Sequence, residues 1–435
     1  MKIKLIIGLV FCIATTFSFA NDVHSIVFEE YLNAFLNGNY QRAVELQNEQ
    51  LTTAFGVQAM EQSANMIVNQ YGKPETTYNT DIMEQDQYKI YIRLMKTTKG
   101  YLKFTVTVDQ DLQIAGFYAA PAPDPRKKLS YVDKSAFDEQ PVQFGNDGWE
   151  LDGVLTLPVN KESYPIVIIV GGSGPTDMDG TVGPNTPYKD IAEGLASSGI
   201  AVLRYNKRTA QHGQKMSGIV NEIENMVDFE YVEDIFSAIA YASNLEKVDN
   251  IILAGHSLGG TVVPKIATTS EGVNGIILLA PGIRRLAEIS LDQNRYAKDY
   301  LGISDKQMEQ VESFFSLILN HELPEDYPIQ SGITAKYYYE LDEYSPLEDL
   351  ENYDEPVLIL QGEEDFQVTM EGDYLPFKEK YGQNDNFTFI SFPTLNHLFI
   401  KTEEGVFHWT DEYNKPGFVD EEVIVSLSDW IHLHY

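Results

Sequence analysis

NIILAGHSLGGTVVPKIA, residues 250–267, is the stretch on which the reading of the fold turns. Ile251 to Ala254 form a short apolar run of the kind buried inside a sheet. Gly255-His256-Ser257-Leu258-Gly259 follows with the spacing G-x-S-x-G, and an apolar, helix-length segment comes next. A strand, a tight turn and a helix, with serine at the apex, is the context in which that pattern presents a nucleophile. Such a turn strains the backbone, and glycines two residues to either side remove the Cβ clashes it would create. The turn also sets Ser257 at a helix N-terminus, whose dipole favours developing negative charge. The competing reading, a plain glycine turn, does not account for the flanking strand and helix.

Outward from this stretch the same rhythm recurs. PIVIIVGG (165–172), IAVLRY (200–205), VNGIILLAP (273–281), PVLILQG (356–362) and NFTFISF (386–392) are short apolar runs. Their near-continuous apolar character suits strands covered on both faces. Helix-length segments separate them at Tyr188–Ser197, Val232–Ser243 and Leu258–Thr268, and a last one runs from Glu421 to His432. PVQF (141–144) and WELDGVLTLPV (149–159) read as an opening hairpin. The alternation predicts an α/β domain over 140–435 with a mainly parallel central sheet and helices on both faces. One insertion, about 283–353, carries helical patches, three successive tyrosines (Tyr337, Tyr338, Tyr339) and many acids, but no buried-strand run. It is far longer than an ordinary connection and reads as a helical cap over the C-terminal edge of the sheet.

A serine hydroxyl needs a base to take its proton. His397 directly follows the strand NFTFISF and is the candidate; His408, farther on in an aromatic segment, is the rival. The third member must orient the imidazole and stabilise its cation. Three acids follow PVLILQG; Asp365 is chosen and Glu363 is the fallback. The order Ser257, Asp365, His397 along the chain is that of the α/β-hydrolases. The oxyanion requires two fixed donors. Leu258 N–H is one. The other comes from the loop GGSGPTDMDG (171–180), with Ser173 the choice by position and Gly172 the alternative. A phosphate cradle is excluded because the full G-x-x-x-x-G-K-[ST] pattern is absent. Arg204, Lys207 and Arg208 read as structural partners of the many acids. The histidines show no metal-ligand pattern, and no metal or organic cofactor is implied.

The N-terminal region differs. Phe28–Leu46 and Val57–Tyr71 have helical periodicity, with a turn at Asn37-Gly38-Asn39. QYKIYIRLMKT (87–97), YLKFTVTVD (101–109) and Leu112–Tyr118 then read as strands. This predicts a small α+β module over 21–120, joined through a Pro-rich linker over 121–139. Residues 1–20 look like a signal peptide: Lys2 and Lys4, the apolar run LIIGLVFCIATTF, then Ser18-Phe19-Ala20 before the cleavage point. The run is shorter than the roughly 20 residues a membrane anchor needs. Val10 and Phe11 before Cys12 do not suit lipidation. Cys12 is the only cysteine, so the mature chain would hold no thiol chemistry. Export to the periplasm or exterior is the expectation. The formal charge is -34, and removal of the two lysines would bring it to about -36 (-34 minus 2). Such a surface repels nucleic acid and anionic membranes.

Taken in order, GGSGPTD, LRYNKR, GHSLGG, LQGEEDFQV and LNHLF resemble a bacterial family of exported α/β-hydrolases, described as esterases or serine aminopeptidase-like. The resemblance covers about 140–435, and the N-terminal module is similar to an NTF2-like (cystatin-like) domain. It implies Ser257 as nucleophile, Asp365 as acid, His397 as base and an oxyanion donor at Ser173. One departure is Gly171, where many relatives carry histidine. The expected activity is hydrolysis of neutral small-molecule esters, because the cap acids disfavour anionic substrates. The cap aromatics suit either an apolar substrate pocket or the cap's own core. An aminopeptidase is the second reading and a non-catalytic binding protein the third. The oligomeric state is open.

Overall fold

The structure, a computed structural model, describes residues 23–85, 87–122, 129–330, 333–402 and 407–435. The signal segment expected at 1–20 lies outside the described residues. Among those described, no helix is long and apolar enough to cross a membrane.

Four helices open the chain: α1 (Val23–Leu36), α2 (Tyr40–Glu45), α3 (Glu49–Ala54) and α4 (Val57–Tyr71). They cover one face of an antiparallel sheet, β1 (Pro74–Gln85), β2 (Tyr88–Thr97), β3 (Gly100–Val108) and β4 (Ile114–Ala122), paired in that order. Period-two alternation puts Tyr91, Arg93, Met95 and Thr97 of β2 and Leu102, Phe104, Val106 and Val108 of β3 inward. Phe28 of α1 stacks on Tyr91 at 4.5 Å. The inward Arg93 is not stranded: it bonds to Glu29 and to Thr80 Oγ1, and its guanidinium lies over the Phe28 ring. Strand β1 has no counterpart in the sequence reading. PETTYNTDIMEQ carries little apolar alternation, and its strand conformation comes from ladder bonds to β2 alone.

The second sheet has eight strands. β5 (Phe137–Phe144) and β6 (Leu151–Pro158) form the antiparallel hairpin. β7 (Tyr164–Val170), β8 (Ala201–Tyr205), β9 (Val248–His256), β10 (Val273–Leu279), β13 (Val357–Gly362) and β14 (Phe387–Phe392) run parallel to one another. The spatial order is β14-β13-β10-β9-β7-β8-β6-β5. Alternate residues of β7 serve opposite cores. Ile166, Ile168 and Val170 face α7 (Glu233–Ser243), α8 (Leu258–Thr269) and α13 (Leu375–Tyr381). Val167 and Ile169 face α5 (Pro187–Ser197) and α14 (Glu421–His434). Both faces are dry, which is why the strand reads as one apolar run; each such side chain contributes about 1.5–3 kcal/mol by burial. This is an α/β-hydrolase fold. A helix absent from the sequence reading, α6 (Arg208–Ile219), follows β8; its two glycines and polar face hide its period.

Between β10 and β13 the chain forms the cap: α9 (Leu286–Tyr296), α10 (Asp305–Leu319), a short hairpin β11 (Pro328–Gln330) and β12 (Ile333–Thr334), α11 (Ala335–Leu341) and α12 (Pro346–Asp349). Leu291, Met308, Val311, Phe314, Phe315, Ile318 and Tyr338 make its core. The successive tyrosines diverge. Tyr338 enters the cap core, Tyr337 enters the hydrolase core, and Tyr339 donates to Leu323 O. These three tyrosines are therefore packing residues of the cap and of its seat on the hydrolase domain.

Candidate active site

Ser257 has φ +55° and ψ -122°, a conformation an L side chain adopts only under strain. The two glycines of the turn are required by contact as well as by freedom. A Cβ on Gly255 would stand 2.4 Å from Gly259 O, and one on Gly259 would stand 2.5 Å from Val170 O. Neither backbone can retreat, because both belong to the central strands and the helix packed on them. The turn therefore holds Ser257 at the C-terminal edge of β9, with Leu258 opening α8 behind it.

β13 and β14 lie side by side and bring their following loops together. There Asp365 Oδ2 accepts from His397 Nδ1 at 2.6 Å and from Gln361 Nε2 at 3.1 Å. Its other oxygen accepts the amides of Gln367 (2.7 Å) and Val368 (3.1 Å). These four donors and full burial hold the carboxylate in one orientation. The alternatives are engaged elsewhere. Glu363 accepts from Ser391 Oγ at 2.7 Å, and His408 lies between Glu412 (2.9 Å) and Glu364 (3.3 Å). The His397 ring sits 4.7 Å from that of His256, next to the nucleophile. Among the described residues no hydrogen bond joins Ser257 Oγ to His397; such contacts are often long before substrate arrives.

His256 occupies the variable position of the G-x-S-x-G turn, and the sequence reading assigned it no role. It is buried; its Nε2 lies 2.9 Å from His397 O and its Nδ1 3.0 Å from Tyr188 OH. Burial, reinforced by the neighbouring His397, pushes its pKa down to about 3. A neutral His256 then donates to the His397 carbonyl and accepts from Tyr188. Tyr188 OH in turn accepts from Gly172 N–H at 3.3 Å. That bond engages the Gly172 amide, the alternative to Ser173 on this loop. Ser173, Ser257 and Leu258 line one small cavity with Thr261, Gly282, Arg284, Leu286, Ile289, Gln293, Leu341, Gln367 and Val368. Its volume is about 40 Å³. Leu286, Ile289 and Leu341 come from the cap. Arg284 is the one charged residue lining the cavity among those described, and it is paired with Asp373 at 2.8 Å and with Asp292.

Two of the three basic residues in LRYNKR form ion pairs away from the loop of Ser173, and Arg204 also donates to Thr156 Oγ1 at 2.7 Å. Arg204 bonds to Glu139 and Asp179, and the wholly buried Arg208 to Asp234 and Glu233. Lys207 pairs with Glu230 but also reaches the loop of Ser173. Only the strand order reveals this: β8 is the parallel neighbour of β7, so residues following both strands emerge together. Among the described residues no group of three or more His, Cys, Asp or Glu is placed to hold a metal ion.

Comparison with known proteins follows the same lines. The family model described as serine aminopeptidase, S33 matches residues 180–404, a span that holds Ser257, Asp365 and His397. Esterase EstD of Thermotoga maritima is 31% identical over 413 residues, which is 95% of each chain. Among solved structures, Est1E of Butyrivibrio proteoclasticus with ferulic acid bound is 20% identical, with TM-score 0.45 over 67% of this chain and 98% of its own. An esterase of Pyrococcus furiosus is 15% identical, with TM-score 0.43 over 71% of this chain and 96% of its own.

Proposed function

The chain belongs to the serine aminopeptidase S33 family of α/β-hydrolases, and on that premise we propose that it cleaves small, uncharged carboxylic esters by acyl transfer through Ser257. It is a carboxylic ester hydrolase; the relative that spans nearly its whole length is named an esterase. The observation that carries the mechanism is the 2.6 Å contact of Asp365 with His397 beside the strained serine turn. Ser257 Oγ attacks the ester carbonyl while His397 Nε2 takes its proton. Asp365 holds the ring and stabilises the imidazolium. The amides of Ser173 and Leu258 receive the oxyanion. His397 then protonates the departing alcohol, and a water activated by the same nitrogen releases the acid. Loss of p-nitrophenyl acetate hydrolysis in Ser257→Ala is the expected result, and full activity in that variant would end the proposal.

The cavity favours esters over an aminopeptidase substrate. A free amino terminus needs a carboxylate, and no Asp or Glu lines the cavity among the described residues. An aminoacyl-p-nitroanilide cleaved faster than the p-nitrophenyl ester would reverse that order. A binding protein without catalysis would leave Ser257 unlabelled by a fluorophosphonate. Residues 23–122, a four-stranded antiparallel sheet under helices, support an NTF2-like reading of the N-terminal module. Export rests on the sequence of residues 1–20, and N-terminal sequencing of the protein from its native host tests it.

A further inference from the structure

Lys207 is buried at 4% exposure, an expensive place for an ammonium group. Its partner Glu230, 2.8 Å away, is equally buried. An ion pair of this kind adds little stability over apolar residues of the same volume, so stability alone does not explain it. The contacts of Lys207 do. Its Nζ donates to Gly172 O at 2.8 Å and to Gly174 O at 3.2 Å, the carbonyls on either side of Ser173. Tyr231 OH donates to the same Gly172 oxygen at 2.8 Å and itself accepts from Lys207 Nζ at 2.5 Å. Lysine has three donors and no acceptor, and here one ammonium group is shared among two carbonyls, a phenol oxygen and a carboxylate, which it ties together.

The peptide between Gly172 and Ser173 is trans, so its C=O and N–H point in opposite directions. Turning the carbonyl toward Lys207 and Tyr231 therefore turns Ser173 N–H away from them. The nucleophile is close by: a Cβ on Gly172 would lie 3.1 Å from Ser257 Cβ. Two donors on the carbonyl also polarise the peptide and strengthen its N–H as a donor. We propose that Lys207, supported by Glu230 and Tyr231, is the positioning residue of the oxyanion loop. It orients and polarises the Ser173 amide without touching substrate. The cap joins the same network. Tyr337 of α11 donates to the second oxygen of Glu230 at 2.8 Å, so the seat of the cap and the aim of the oxyanion donor share one buried pair.

The inference rests on the acyl-transfer reading, and the test separates the two. Lys207→Met/Glu230→Gln removes both buried charges; Tyr231→Phe removes one donor to Gly172 O and one acceptor of Lys207, and no charge. For each variant kcat and KM are measured with p-nitrophenyl acetate, together with Ki for a trifluoromethyl ketone of matching acyl size, which forms a tetrahedral adduct. The double variant is expected to lose about 10²–10³ in kcat with KM within threefold, and Ki to rise by the same factor as kcat/KM falls. Tyr231→Phe is expected to lose about tenfold in the same manner. A folded double variant with kcat and Ki within threefold of the parent overturns the proposal. If that variant does not fold, Tyr231→Phe decides by the same two readouts. A parent protein that neither hydrolyses the ester nor takes a fluorophosphonate label at Ser257 sinks the acyl-transfer reading instead.

Discussion

Asp365 Oδ2 and His397 Nδ1 lie 2.6 Å apart, and each is held by backbone its neighbour in the pair does not supply. Two loop amides fix the carboxylate, and His256 Nε2 holds the His397 carbonyl at 2.9 Å. Asp365→Asn keeps the size and the bonds from Gln367 and Val368, but its N–H group then faces the Gln361 Nε2 donor as well as Nδ1. It then offers an N–H to Nδ1 and selects the wrong tautomer. kcat is expected to fall about 10³–10⁴-fold, with a loss of about 1–3 kcal/mol in stability from the Gln361 donor left unpaired at this position. A loss of less than tenfold in steady-state hydrolysis would remove Asp365 from the mechanism.

Ser257 carries the strain of its positive φ in every state of the enzyme. Ser257→Gly relieves it and Ser257→Ala does not. Both are expected to be inactive, with the glycine variant more stable than the alanine variant by about 1 kcal/mol. Urea unfolding of the two variants measures the difference, and an alanine variant of equal or greater stability would contradict the strain.

His256, held neutral with its pKa near 3, links stability to pH. The unfolded chain takes up a proton at this residue near pH 6.5 and the folded one does not. Stability from this source is complete above pH 6.5 and is lost as pH falls toward 3. Between pH 7 and 5 the loss is about 2 kcal/mol. His256→Gln lacks it, so the stability gap between parent and variant is expected to narrow by about that amount over the same range. A gap that stays constant in urea titrations at pH 7, 6 and 5 would refute the linkage.

The cavity beside Ser257 holds about 40 Å³ and is walled by Leu286, Ile289, Leu341 and Val368. That space suits one or two methyl groups. Acetyl and propionyl esters are expected to exceed hexanoyl esters by tenfold or more in kcat/KM. Ile289→Ala is expected to raise the hexanoyl-to-acetyl ratio about tenfold, in keeping with about 0.8 kcal/mol for each buried methylene. A chain-length profile that is flat in the parent or unmoved in the variant would place the acyl group elsewhere.

The elements that could be read from sequence were those whose cause is local. The apolar runs of β7, β9, β10 and β13 announce burial on both faces, and α4 carries its own 3.6-residue period from Val57 to Tyr71. β1 and α6 lack any such internal signal. The first is held by pairing with β2, the second by packing after β8. The cap tyrosines illustrate a further limit. Side chains at successive helix positions point about 100° apart, so Tyr337 and Tyr338 enter different cores although their sequence environment is the same.

Sequence by itself determined the serine turn, since the clashes that demand Gly255 and Gly259 arise within a few residues of Ser257. It also narrowed the acid and the base to short loops after two identifiable strands. Only the tertiary structure brings Asp365, and not Glu363 or Glu364, against His397, engages His408 with Glu412, and joins the Gly172 amide to Tyr188. It alone ties Lys207 to the carbonyls of Gly172 and Gly174. The physical reason is that those choices depend on which strand ends lie side by side. β13 beside β14 and β8 beside β7 are contacts between segments far apart in the chain, set by packing of the whole sheet.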